Sequence, residues 1–81
     1  MAKMSAVELC RKLKEEWEAS QDNSAENNLR IRILDYLISR RVPDERFEDV
    51  LEGRINDPDP AKEHSKIICG EILDAWRSRT S

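Results

Sequence analysis

Apolar residues recur at helical spacing through most of the chain. At about 100° of rotation per residue, Ala6, Leu9, Cys10, Leu13 and Trp17 fall within an arc of about 100°. Most of the residues between them are Lys, Arg and Glu. This one-faced pattern predicts an amphipathic helix over 6–19. Ser5 and Glu8 stand in the capping-box relation that opens such a helix. The polar run Ser20-Gln21-Asp22-Asn23-Ser24 predicts a turn, with Ser24 or Asn23 capping a second helix over 25–41.

The second helix has a broader apolar pattern. Ala25, Tyr36, Leu29, Ile33 and Leu37 make one face, and Leu34, Ile38, Ile31 and Val42 make another beside it. Together they wrap about 240° of the circumference, and only Arg32, Asn28, Ser39 and Asp35 form a continuous polar stripe. A helix that is apolar most of the way round is buried on more than one side. It is therefore either the central helix of the fold or half of a subunit interface. Val42-Pro43 ends it, because a proline pushes the residue before it out of helical geometry. Pro43 can open a third, short helix over 44–52, with Phe47, Val50 and Leu51 inward and Gly53 as its stop. Asp59 and Pro60 then cap and open a fourth helix over 60–78. Its inward arc holds Ala61, Ile68, Cys69, Ile72, Leu73, Ala75 and Trp76, while Ile67 is stranded among Glu63, Gly70, Glu71 and Asp74. The pattern shows no convincing strand. The expected fold is a single all-α domain spanning 1–81, four helices in a small bundle-like packing, with residues 1–4 and 80–81 frayed.

Eighty-one residues bury a modest core, so a partner chain or another staple is expected to help. With 38% hydrophobic residues the chain is too apolar and too patterned for disorder. Formal net charge is −3. Proteins that hold nucleic acid by phosphate neutralisation are usually basic, so the balance argues against that partner and gives no attraction to an anionic membrane. No apolar span is long enough to cross a bilayer.

Charge is unevenly placed. Residues 43–60 hold two basic and seven acidic side chains, more than the whole net negative charge. The second helix, the tight turn and the third helix have the outline of a helix-turn-helix. A recognition helix, however, presents Arg, Lys, Asn or Gln to base edges. This one presents Asp44, Glu45, Glu48, Asp49 and Glu52 against Arg46. The acidic residues serve as dipole partners and caps, or as a surface that docks a basic partner. Arg30, Arg32, Arg40 and Arg41 on the second helix are the remaining basic cluster.

Little points to catalysis. Cys10 and Cys69 are not a C-x-x-C pair, and two Cys with the lone His64 fall short of a structural zinc set. They read as reduced, buried thiols of a cytoplasmic protein, with a Cys10–Cys69 bridge as the alternative. His64 and Cys69 lie about 140° apart on a helix, a poor nucleophile–base pairing. Asp57 and Asp59 lack the further ligands of a calcium loop and read as turn and cap residues.

The helix order with Val42-Pro43 at the corner resembles the small helical interaction domain of stress-response phosphatase regulators and cyanobacterial clock regulators. The third helix is shorter here, and no diagnostic motif matches. The expected function is a non-catalytic protein–protein interaction or regulatory module, without cofactor or metal. The chain is expected to form a homodimer through the second face of the second helix. Its partner or dimer surface is expected at Ile31, Leu34, Ile38, Val42 and Ile67, with acidic docking at Asp44, Glu45, Glu48, Asp49 and Glu52. The rival is a nucleic-acid-linked regulator, helix-turn-helix-like and using the arginines of the second helix, or presenting the acidic segment as a decoy.

Overall fold

The computed structural model describes residues 4–79. They form four α-helices: α1 (Ala6–Ala19), α2 (Ala25–Arg40), α3 (Asp44–Ile55) and α4 (Glu63–Ser78). A single 3-10 turn, Pro60–Lys62, leads into α4. No strand occurs among the described residues, so the all-α expectation holds. Fraying was expected at 1–4 and 80–81. Residues 1–3 and 80–81 lie outside the described residues, and Met4 packs against the core.

The first connections form as the caps predict. The Ser5 hydroxyl accepts from the Glu8 N–H and the Ser24 hydroxyl from the Asn27 N–H. α2 ends on Arg41, which adopts the left-handed conformation (φ 49°, ψ 50°) and donates its N–H to the Ile38 carbonyl. Pro43 then precedes α3 with extended geometry, at φ −70° and ψ 154°.

Two boundaries differ from expectation. α3 runs to Ile55 and passes through Gly53, which therefore does not stop it. The reason lies in Ile55, which packs against the core one turn after Leu51 and rewards continuation. The fourth helix begins as 3-10: Asp59 caps Ala61, and the α-helical spacing starts only at Glu63.

α1 packs along α2, α3 packs along α4, and α2 also touches α4. The molecule is thus two helical hairpins closed on one core. That core takes Leu9 and Cys10 from α1, Ile33, Leu34 and Leu37 from α2, and Phe47 and Leu51 from α3. α4 contributes most, with Ile68, Cys69, Ile72, Leu73 and Trp76. Phe47 and Trp76 meet at a ring-centroid distance of 4.8 Å with planes tilted by 57°.

α2 packs against both α1 and α4. Its two apolar faces are the halves of one broad face: Ile33, Leu37 and Leu34, which span about 100° of the helix, are all buried. The outer edges diverge. Tyr36, at one edge, is 39% exposed, and Ile31 and Ile38, at the other, are half-buried. Polar side chains inside the arc find internal partners. Asn27 is 2% exposed, and its amide donates to the carbonyls of Trp17 (3.1 Å) and Asp22 (2.8 Å). Arg30 donates to both carboxylate oxygens of Glu71, at 3.1 and 3.0 Å, and lies 5.4 Å from the Trp17 ring centroid.

Candidate functional site

The α2–α3 corner and the charge pattern of α3 bring together side chains capable of recognition. On α3, Phe47 and Leu51 point into the core. Asp44, Glu48 and Glu52 lie on one flank of that stripe, and Arg46, Val50 and Arg54 lie on the other at successive i+4 positions.

The acidic flank is spent inside the molecule. The Asp44 carboxylate accepts from the Ala6 N–H at 2.9 Å, joining α3 to the start of α1. Glu48 and Glu52 accept from Arg77 of α4 at 3.0 and 3.2 Å, and the Arg77 guanidinium is held above its usual range chiefly by the Glu48 bond. Of the five residues expected to form an acidic docking surface, only Glu45 and Asp49 face solvent without a described side-chain partner. The five acidic residues therefore do not make one free surface.

The opposite flank stays open. Tyr36 and Arg40, one turn apart on α2, face it across the Val42-Pro43 corner. Tyr36, Arg40, Val42, Pro43, Arg46 and Val50 line a groove of about 420 Å³. The Arg40 guanidinium carbon lies 5.2 Å from the Tyr36 ring centroid and that of Arg54 lies at 4.6 Å. Two cations thus rest against one half-exposed ring. Among the described residues, no carboxylate comes within ion-pair distance of Arg40, Arg46 or Arg54. The chain is acidic overall, so an unneutralised arginine trio around an apolar floor is a local reversal of its charge.

The expected interface residues do not make one exposed surface. Leu34 is completely buried by the chain's own helices and cannot contact a partner, which corrects its placement at the surface. Ile38 lines a separate groove against α1 with Arg11, Lys14 and Asp35. Ile31 is half-buried, and Ile67, on α4, is 50% exposed. Of that set, only Val42 belongs to the Tyr36 groove. The acidic excess of residues 43–60 conceals the groove in the sequence, because it draws attention away from Arg46 and Arg54. Their four-residue spacing through Val50 was the available signal.

Cys10 and Cys69 are free and buried. Burial pushes the Cys10 thiol up to about 12 and raises that of Cys69, with Arg54 opposing the latter shift. Such thiols stay protonated at neutral pH, and the thiolate is the reactive form. His64 is exposed on the first turn of α4. Asp57 and Asp59 act as turn residues: Asp57 accepts from the Asp59 N–H at 2.9 Å, and Asp59 accepts from the Ala61 N–H at 3.0 Å. The former bond is the main reason the Asp57 carboxyl lies below its usual value. No helix among the described residues is long and apolar enough to cross a membrane.

Compared with known proteins, the chain matches no family model, no curated protein and no solved structure. The likeness to phosphatase-regulator and clock-regulator domains therefore continues to rest on helix order and the Val42-Pro43 corner.

Proposed function

We propose that the chain is a small non-catalytic docking module that binds another polypeptide in the groove between the C-terminal half of α2 and the open flank of α3. The observation that carries this reading is the set of Arg40, Arg46 and Arg54 around half-exposed Tyr36, with no carboxylate among the described residues within ion-pair distance of them. Tyrosine and arginine are the side chains that most often anchor protein interfaces, because each combines contact area with directed hydrogen bonds. The apolar floor of Val42, Pro43 and Val50 supplies area to bury.

The reading moves the expected partner surface. It keeps Val42, drops Leu34, and replaces the acidic residues of α3 with the arginines beside them. Self-association was expected because α2 has too much apolar surface for an outer helix. That surface is largely covered within one chain, so the docking reading does not call on a homodimer. Two free, buried thiols support a reducing compartment such as the cytoplasm.

Site-specific photo-crosslinking in intact cells tests the proposal. A photoreactive amino acid replaces Arg46 in the groove or Lys12 on α1. The expected result is a discrete polypeptide adduct from position 46 and none from position 12. Equal labelling from both positions, or from neither, would overturn the proposal. An adduct containing nucleic acid from position 46 would favour the nucleic-acid-linked regulator.

A further inference from the structure

We infer that the Tyr36 groove takes an acidic polypeptide segment that presents one apolar side chain between carboxylates. This rests on the docking reading above and specifies the chemistry of the partner.

The arginines provide the first argument. Arg40 and Arg54 lie against the Tyr36 ring at 5.2 and 4.6 Å. A guanidinium stacked on a ring uses its face and leaves the N–H edge free. That edge matches a carboxylate in a two-point contact. Neither side chain has a hydrogen-bonded acceptor among the described residues, so both forks are held in place with their donors unspent. Arg46 adds a third exposed cation across the groove.

The floor provides the second. Val42 and Val50 are half-buried, and Pro43 is exposed beside them. A cavity of about 420 Å³ with an aliphatic floor accepts an apolar side chain while the arginines take charged neighbours. An entirely polar anion would leave this floor wet.

Nucleic acid offers the same anionic charge, but its geometry suits the surroundings poorly. A strand carries a phosphate at every step and favours a continuous positive track. Here the arginines share their helices with exposed acids, Asp35 on α2 and Glu45 and Asp49 on α3, so the positive charge does not continue into a track. A peptide spaces its carboxylates to match the trio and turns away from these acids. A second copy of the chain offers Glu45 and Asp49, but Arg46 borders them on the same helix and would be brought toward the other arginines.

Backbone-amide NMR titration of the full chain decides the matter. The probes are a short glutamate-rich peptide with a central leucine, the same peptide with every glutamate replaced by glutamine, and a short oligouridine. With the glutamate peptide, shifts are expected to centre on residues 36–54 and to weaken as salt is added. The glutamine peptide is expected to bind at least about tenfold more weakly. Arg46→Glu and Arg54→Glu should each weaken the glutamate peptide by about tenfold or more, Tyr36→Ala should weaken it too, and Lys12→Glu should leave it unchanged. The spectrum of each variant reports directly whether it is folded. Equal binding of the glutamine peptide in the groove would overturn the acidic partner and leave the docking reading standing. Tighter binding of oligouridine there would overturn both. Absence of groove shifts with the glutamate peptide would overturn this inference, while the crosslinking experiment judges the docking reading separately. Self-association through the groove, seen by light scattering and abolished by Arg46→Glu, would replace the acidic peptide with a second copy.

Discussion

Asn27 shows how one polar side chain can sit inside an apolar face. It lies at 2% exposure because the turn after α1 brings the Trp17 and Asp22 carbonyls to its amide. A buried carbonyl that loses its donor keeps the cost of desolvation. Asn27→Ala is expected to lower unfolding free energy by about 1–3 kcal/mol in urea titrations. Cys10 makes a second prediction through pH. Its ordinary thiol value is 9.0, and burial pushes it up to about 12 in the folded chain. Between those values the unfolded chain releases a proton that the folded chain retains, so stability is complete below the lower value and falls as pH rises through this window. Under reducing conditions, the thermal midpoint should fall more between about pH 8 and about pH 10.5 in the parent than in Cys10→Ala. An equal fall would show that the thiol does not contribute. Neither effect was legible in sequence. Asn27 was passed over because its partners come from the turn. Cys10 was correctly placed on the inward face, but its pKa depends on neighbours from other helices.

Among the helices, the conformational demands and the glycines fall in different places. Gln21 and Arg41 carry the left-handed conformations of the two tight turns, at φ 57° and 49°. Gly53 and Gly70 instead sit within α3 and α4 with no positive φ, and a Cβ added to either meets nothing within 4 Å. Glycine in a helix interior costs about 0.5–1 kcal/mol relative to alanine. Gly53→Ala and Gly70→Ala are each expected to stabilise the protein by about that amount, read as a raised thermal midpoint. No change or a loss would mean that the substituted site is not an open, unstrained helix position. This separation explains why the sequence predicts a third helix three residues shorter than α3: Gly53 reads as a stop, and only the fold shows that Ile55 reaches the core. The first helix, with a single clean apolar arc and a strong cap, was fully legible. The second was legible as a buried helix, but the centre of its buried face lay between the two faces read from its wheel.

Across the whole molecule, α2 is shared between hairpins, and its burial decides how substitutions there behave. Leu34 is fully enclosed, so Leu34→Asp places a carboxylate in the core and is expected to abolish the far-ultraviolet helical signal. Ile38→Asp lies at a half-buried edge beside the α1 groove and should leave most of that signal intact. If Leu34→Asp stays folded, the centre of the core has been misplaced. Sequence periodicity can identify which residues turn inward, but not which helix lies opposite, so the pairing of hairpins and the acid-to-arginine division of α3 emerge only in three dimensions. Near the ends of the described chain, Arg79 donates to the Met4 carbonyl at 2.9 Å. Residues 4 and 79 are therefore near enough for a short linker to join them. A circularly permuted chain opened between Arg41 and Val42 would run α3, α4, α1, α2 and keep each hairpin continuous. It should refold with native helicity while its cut corner no longer shapes the recognition groove, thereby separating the architecture from the surface it supports.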